Sequence, residues 1–450
     1  MIAHTFVILA ILLGTIFIGT PVAFGLGFSA VMLIVVFLDS SQLMQMGSIA
    51  FSQGTSMNQL VAPLFILMAE ALAQGNIASD IFTVLSRWLR RIDGGLALST
   101  MLASTLFAAL CGSSPATAAA MGRVSVTEMK LRGYREDFAV GVVAAGGTLG
   151  IMIPPSISLV IFGIITENSI TRLFMAGFLP GLLISVLLCF FILVRVKLNP
   201  ELIGKYQNKD ILWRDEKKSL TQKTNQSTQI WCKNNFIKDM QRIVPPILLI
   251  FIVMGSLYTG MTTPTEAAGF GAIGALLLVI IMGRMTKTGF INIMTASART
   301  SSMILFLIIG GMALSYVVCH LGLAQTISNL IISSGLNRWI IMVLIYLLWV
   351  FLGCLMDPLS MIVLTVPFIY PTLLELKFDP IWLGIVSTLC VEIGMITPPV
   401  GLNLFVLKAT SDVSMEKIMT GALPFVLVLL TGLLIVSIFP QTCLYLPSIM

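Results

Sequence analysis

Long apolar runs cover most of this chain, and many of them are hydrophobic on every side. Of its 450 residues, 57% are hydrophobic and only 10% are charged, whereas a soluble globular protein carries about 25% charged residues. A helix that is apolar all round is buried in protein or in lipid, and one membrane span takes about 20 residues. The chain therefore has room for about ten membrane spans, and a soluble enzyme, a disordered chain and a collagen-like fibre are excluded.

The charged and reactive residues give no sign of nucleic-acid binding or of catalysis. The net charge is +6, but the basic residues cluster between apolar runs. This is the pattern of membrane proteins, whose cytoplasmic loops are rich in Lys and Arg. The seven cysteines form no CxxC pair, and the two histidines have no triad or zinc-ligand arrangement. No Walker A or HExxH motif occurs. We therefore expect no enzyme activity, no organic cofactor and no nucleic-acid partner.

One polar segment divides the chain into two halves that match each other. Residues 199–241 predict an aqueous linker between a first repeat, 1–198, and a second repeat, 242–450. A shift of 244 positions aligns five features without a gap: Gly150 with Gly394, Pro154-Pro155 with Pro398-Pro399, Thr166 with Thr410, Gly177 with Gly421, and Pro180 with Pro424. Coincidence among Gly- and Pro-rich segments is the alternative, but ungapped agreement favours an internal duplication.

The positions of Lys and Arg predict the orientation of the repeats. If the basic segments 80–93 and 129–136 are both cytoplasmic, the run at about 94–128 enters and leaves on one side, as a re-entrant hairpin does. Its counterpart at about 339–376 falls on the opposite side, where few basic residues flank it. Both termini then lie outside and the linker inside.

The predicted fold class follows from this topology. We expect an all-α integral membrane protein with two inverted-topology repeats. Each repeat contains one re-entrant helical hairpin and one helix broken at a Pro-Pro pair, at about 138–166 in the first half and 381–409 in the second. Secondary transporters use this plan to place substrate and coupling ions at helix breaks near the membrane midplane.

The breaks carry polar groups that suit a small cation. Gly112-Ser113-Ser114 and Gly146-Gly147-Thr148 supply hydroxyls in the first half, and the segment around Thr397 supplies one in the second. Interrupted helices also free backbone carbonyls, so we expect one Na⁺ site per half. The alternative is that Gly, Ser and Ala only permit close helix packing.

Acidic residues inside the apolar runs are scarce and therefore informative. Asp357 stands before Pro358 at a predicted hairpin tip, and we expect a direct role at the substrate or ion site. Helix N-capping by the same carboxylate is the structural alternative, and the two roles are compatible. Glu392 precedes the second break, and its role stays open between function and structure.

Five motifs together resemble the large membrane subunit, the DctM-type permease, of tripartite ATP-independent periplasmic (TRAP) transporters. The resemblance covers nearly the whole chain. The motifs are Thr263-Pro-Thr-Glu-Ala-Ala268, Gly112-Ser-Ser114, Gly150-Ile-Met-Ile-Pro-Pro155, Met356-Asp-Pro358 and the stretch from Gly394 to Asn403 with its Thr-Pro-Pro-Val-Gly core.

The resemblance implies a function and partners that composition cannot supply. It implies an elevator-type permease of the bacterial inner membrane that imports a small organic anion, such as a dicarboxylate or sialic acid, by Na⁺ symport. The expected partners are a small four-helix membrane subunit and a periplasmic substrate-binding protein.

The resemblance also assigns site residues. It implies one Na⁺ site lined by Ser113, Ser114, Gly147, Thr148 and Pro154. By the same resemblance, the other Na⁺ site or the adjoining substrate site is expected to be lined by Gly353, Asp357, Thr397 and Pro398. Substrate contacts fall to Asp357, Ser114 and Asn403. Glu266 belongs to the scaffold, with a structural role.

Three other functions stay open on sequence grounds. The first is a stand-alone Na⁺/anion symporter or exchanger that needs no binding protein. The second is an integral-membrane enzyme, which would need a cluster of His or carboxylates that the chain lacks. The third is a scaffolding subunit without its own pathway.

Overall fold

The structure, a computed structural model, describes residue 14 and residues 20–204, 236–333 and 335–449, and in these ranges every regular element is a helix. Most of the apolar run at about 5–20, whose length predicts a membrane span, and the middle of the predicted linker, 205–235, fall outside the described residues. In the first half, ten α-helices have both bounds among the described residues: α1 (Val22–Phe37), α2 (Leu43–Thr55), α3 (Val61–Gln74), α4 (Ile77–Trp88), α5 (Gly95–Cys111), α6 (Ser114–Met121), α7 (Thr127–Leu131), α8 (Glu136–Thr148), α9 (Ile157–Thr166) and α10 (Ile170–Leu198).

The second half continues with ten more described helices. They are α11 (Phe236–Tyr258), α12 (Pro264–Ile281), α13 (Lys287–His320), α14 (Leu323–Ser333), α15 (Arg338–Leu355), α16 (Pro358–Glu375), α17 (Pro380–Met395), α18 (Leu402–Thr410), α19 (Met415–Ile438) and α20 (Gln441–Ile449). A π-helical turn, Gly122–Val126, joins α6 to α7.

Eight of the helical segments in the described ranges are long and apolar enough to cross a membrane. They are Met57–Gln74, α10, Ile237–Tyr258, α12, α13, α15, α16 and α19. Four further apolar helices, α1, α5, α9 and α17, have 10 to 17 residues. These features confirm the predicted all-helical, multi-pass membrane architecture.

Helix boundaries recur along the chain at the offset found in the sequence. Matching ends differ by 244 at four places: 111 and 355 at the ends of α5 and α15, 114 and 358 at the starts of α6 and α16, 136 and 380 at the starts of α8 and α17, and 166 and 410 at the ends of α9 and α18. The α6–π–α7 run, 114–131, matches α16, 358–375, at both ends. The orientation of the two halves in the membrane stays a prediction.

The halves pack on each other reciprocally. Helix α1 packs on α13, and α3 packs on α12, which occupies the position of α1 in the second half. In the same way α9 packs on the second limb of the other hairpin, α16, while α18 packs on α6. Each broken helix therefore contacts the hairpin of the other half.

Helix α11 begins at Phe236, inside the predicted linker, 199–241. Its first turn, Phe-Ile-Lys-Asp, contains two charged residues, and Asp239 forms an ion pair with Arg87 of α4. At the other boundary, Leu202 and Ile203 are buried in a 3₁₀ turn. The amide of Arg135 donates to the Leu202 carbonyl at 3.0 Å.

Glu266 has a structural contact at the start of α12. Its backbone amide donates to the Thr263 hydroxyl at 3.3 Å, and its carboxylate accepts from the Thr263 amide at 2.8 Å. This reciprocal pair is a capping box, which satisfies two amides that the first turn of a helix leaves free. The TPTEAA motif therefore marks a helix start.

Glycine allows α8 and α19 to touch. A Cβ atom at Gly421 would lie 2.0 Å from the carbonyl oxygen of Asp137, and one at Gly141 would lie 2.2 Å from the carbonyl oxygen of Gly421. Small residues that let backbones approach are the usual means of helix association in membranes, where lipid supplies no hydrophobic drive between helices.

We predict that Gly421→Ala destabilises the protein by about 1–3 kcal/mol or more, because the added methyl must separate α8 from α19. Thermal unfolding of the purified protein measures the effect. Gly269→Ala is the matched control, because nothing lies within 4 Å of its Cβ position. Equal melting temperatures for the two variants would contradict the close contact.

Candidate functional site

In the first half, the hairpin tip lies against the broken helix. Helix α8 ends at Thr148, a 3₁₀ turn runs to Ile151, and α9 begins only at Ile157. The amide of Ile157 donates to the carbonyl of Gly112 at 3.4 Å. A Cβ atom at Gly150 would lie 2.6 Å from the carbonyl oxygen of Ser113, so a larger residue there would push the tip away.

The second half repeats this contact between tip and break. Helix α17 ends at Met395 and α18 begins at Leu402, and the Gly401 amide donates to the Cys354 carbonyl at 2.9 Å. A Cβ atom at Gly394, which matches Gly150, would lie 2.6 Å from the carbonyl carbon of Gly353. The tips and breaks therefore put irregular backbone into protein surroundings, where its polar groups find partners.

A hydrogen-bonded cluster joins the two halves at this level. The Ser114 hydroxyl accepts from Asn403 Nδ2 at 2.8 Å and donates to Glu392 Oε2 at 3.3 Å. The other carboxylate oxygen of Glu392 accepts from the Ile151 amide at 3.3 Å. Ser114 and Ile151 belong to the first half, and Asn403 and Glu392 to the second. We call these four residues the cross-half cluster.

The cross-half cluster is closed to water. The exposed fractions are 0% for Ser114 and Asn403 and 1% for Glu392. Asn403 Oδ1 is buried and has no hydrogen-bond partner among the described residues. A buried carbonyl oxygen without a partner costs free energy, and a bound cation would remove that cost. The donor set therefore fits a hard cation such as Na⁺.

Other sequence-predicted residues lie around the first break. Ser113 is half-buried at the N-cap of α6, and its carbonyl accepts from the Thr117 hydroxyl at 2.8 Å.

Thr148, at the end of α8, is buried and donates to the Ala145 carbonyl at 2.6 Å, which leaves its hydroxyl oxygen able to bind a ligand. A Cβ atom at Gly147 would lie 2.8 Å from the Ala118 side chain on α6. Pro154 is buried.

Around the second break, the predicted residues are less enclosed. Gly353 is buried, whereas Asp357, Thr397 and Pro398 are half-buried. The Thr397 hydroxyl donates to the Ile393 carbonyl at 2.6 Å. Its oxygen keeps lone pairs for a ligand.

Asp357 caps a helix, as the structural alternative expected. Its two carboxylate oxygens accept from the Ser360 amide at 3.1 Å and from the Ser360 hydroxyl at 2.5 Å. Ser113 occupies the matching N-cap of the first half without a side-chain cap bond. The second half therefore carries a carboxylate where the first half carries a hydroxyl. Helix capping by Asp357 is compatible with a further role in binding an ion or a substrate.

Sequence reasoning left the role of Glu392 open and did not place it among the site residues. The chain holds only 20 Asp and Glu residues, and the 244-residue offset pairs Glu392 with Thr148, which was identified. Applying that offset to the site residues would have indicated Glu392. Its partners, Ser114 and Ile151, could not be read from the sequence because they lie in the other half.

A separate polar cavity of about 330 Å³ lies between the α2–α3 junction and the corner that joins α9 to α10. Gln59, Glu167 and Asn168 line it, and Gln59 Oε1 has no hydrogen-bond partner among the described residues. None of the predicted site residues borders this cavity. It is therefore not part of the tip-and-break region.

We predict that Ser114→Ala lowers the free energy of unfolding by about 1–3 kcal/mol, because it leaves buried groups of Asn403 and Glu392 without a partner. Ser158→Ala is the control: Ser158 is also fully buried, but its hydroxyl has no partner in the described ranges. Thermal unfolding compares the two variants. A loss no larger than that of the control would show that the cluster contributes nothing to stability.

Comparison with known proteins places the chain in a family. The family described as "Tripartite ATP-independent periplasmic transporter, DctM component" matches residues 9–442. A C4-dicarboxylate TRAP transporter large permease of Pseudomonas aeruginosa is 33% identical over 392 residues, which is 86% of each chain. A sialic acid TRAP transporter large permease of Vibrio cholerae is 30% identical and covers 97% of each chain.

A solved structure supports the fold independently of close sequence similarity. The YdaH transporter of Alcanivorax borkumensis matches with a TM-score of 0.58 at 14% identity, covering 90% of this chain and 89% of that one. At 14% identity the match supports similarity of fold and nothing more. With helices that can span a membrane, paired tips and breaks, and a family match over nearly its full length, the chain belongs to the DctM components of the tripartite ATP-independent periplasmic transporters.

Proposed function

We propose that this chain is the translocation subunit of a Na⁺-coupled symporter that imports a small organic anion. The observation that supports this most is the cross-half cluster, in which hydroxyl, amide and carboxylate oxygens meet at two helix breaks away from water. Interrupted helices of this kind are where secondary transporters bind substrates and coupling ions.

The proposed Na⁺ ligands follow the two breaks. Ser113, Ser114, Gly147, Thr148 and Pro154 would hold one ion, and Gly353, Asp357, Thr397 and Pro398 the other. Backbone carbonyls at the two breaks, where the regular helical hydrogen bonding stops, would add to these hydroxyls and carboxylates. Ser114, Asp357 and Asn403 would contact the substrate.

Charge explains why symport suits this site. The N-terminus of α16 carries partial positive charge that would attract a substrate carboxylate. The Asp357 carboxylate at the same helix end repels it. A cation bound beside Asp357 cancels that repulsion, so an anion binds well only after Na⁺. Coupling then follows from electrostatics, without a separate gate.

The proposed substrate class and partners draw on the relatives. Large permeases in this family are named for C4-dicarboxylates, sialic acid and ectoine. We propose a dicarboxylate or sugar acid, delivered by a periplasmic binding protein, with a small four-helix membrane subunit as the second partner. The permease would work in the bacterial inner membrane by an elevator movement, with both termini periplasmic.

A stand-alone Na⁺/anion symporter or exchanger is the second candidate, and reconstitution separates the two. Proteoliposomes containing this chain, with and without the small subunit and the binding protein, are given radiolabelled succinate or sialic acid. We expect uptake only with all three proteins and an inward Na⁺ gradient. Uptake by this chain alone would favour the second candidate, and uptake indifferent to Na⁺ would contradict symport.

We predict that Asp357→Asn lowers Na⁺-driven uptake at least about tenfold, since a charge a few ångström from a bound ion contributes several kcal/mol at intermediate dielectric. Asn caps helices about as well as Asp, so the melting temperature should stay nearly the same. Uptake per folded protein is the measurement. Normal uptake by this variant would show that Asp357 caps its helix and has no role in transport.

A further inference from the structure

The two proposed Na⁺ sites differ in charge. The second site contains the carboxylate of Asp357, whereas the five residues proposed for the first site, Ser113, Ser114, Gly147, Thr148 and Pro154, are all neutral. Under the 244-residue offset Asp357 matches Ser113 and Glu392 matches Thr148. Both acidic replacements therefore lie in the second half. A cation held by neutral ligands alone, away from water, keeps its full charge uncompensated, which is costly.

Glu392 lies where it can supply that missing charge. It is fixed on α17 of the second half, yet its carboxylate oxygens are bound by Ser114 and by the Ile151 amide, both of the first half. Both hydrogen bonds are 3.3 Å long, which is beyond the usual range for bonds to a carboxylate. In the described ranges, the ion pairs of Lys and Arg involve other acidic residues.

We propose that Glu392 supplies its carboxylate across the two halves to the first-half Na⁺ site. Each half then has one carboxylate for its ion, Asp357 in the second and Glu392 in the first. This inference depends on the proposed Na⁺ coupling. It also makes the first site a composite, because the ion would join the first hairpin and the first break to α17 of the other half.

The proposal differs from a purely structural role for Glu392 in what happens without Na⁺. A buried carboxylate with two long hydrogen bonds and no counter-charge destabilises the fold, and Na⁺ would relieve this. If the role of Glu392 were purely structural, its carboxylate would stabilise the protein in every buffer, with or without Na⁺. Glu392→Gln keeps the size and one acceptor oxygen but removes the charge, so it separates the two roles.

The experiment is thermal unfolding of the purified protein in nanodiscs, titrated with NaCl against choline chloride at constant ionic strength. An ion that binds the folded state raises its stability in proportion to the logarithm of its concentration. For Glu392→Gln we expect the half-maximal Na⁺ concentration to rise at least about tenfold. In Na⁺-free buffer its melting temperature should equal or exceed that of the wild type.

Two control variants keep the result interpretable. Glu392→Asp retains the charge and should keep most of the Na⁺ response, even if the shorter side chain lowers stability. Glu375→Gln removes a carboxylate of α16 that Ser328 contacts and that we assign no part in ion binding. Its Na⁺ response should be that of the wild type.

The outcomes separate this inference from the proposed function. If the wild type responds to Na⁺ and Glu392→Gln responds identically, the role of Glu392 is wrong while Na⁺ coupling stands. If Glu392→Gln is less stable than the wild type at every Na⁺ concentration and its half-maximal Na⁺ concentration is unchanged, Glu392 only stabilises the fold. A wild type that treats Na⁺ and choline alike would overturn both proposals.

Discussion

Lipid cannot hydrogen-bond to a peptide group, and this constraint governs the whole molecule. A chain that interrupts helices inside a bilayer must enclose each interruption in protein or in a water-filled cavity. Here each hairpin tip is covered by the break of its own half, as Gly150 shows against Ser113. The reciprocal packing of α9 on α16 and of α18 on α6 adds cover from the other half. The enclosure that protects the backbone also collects the polar oxygens in one place.

The two halves share boundaries but not chemistry. Helix ends recur at a constant offset, while the acidic residues at the breaks, Asp357 and Glu392, occur only in the second half, where the first has Ser113 and Thr148. Asp357 also caps its own helix, and Glu392 reaches into the other half.

The sequence predicted the elements better than the contacts. Apolar length and Gly-Pro breaks are local signals, so the sequence indicates the helices and their interruptions. The start of α11 inside the linker was not predicted, because charged residues follow its first two positions and the pairing of Asp239 with the distant Arg87 is not a local signal. The partnership of Ser114 with Asn403 joins residues 289 positions apart, and no local pattern contains it. Ion and substrate roles stay predictions, since they depend on ligands beyond the chain.

The opposite orientation of the two hairpins is the claim on which this account most depends. Single cysteines at Lys130, beside the first hairpin, and at Lys377, beside the second, can be labelled with a membrane-impermeant thiol reagent after the seven native cysteines are replaced. We predict labelling of the Lys377 position in cells whose inner membrane is intact, and labelling of the Lys130 position only after that membrane is opened. Labelling of both positions from the same side would contradict inverted halves.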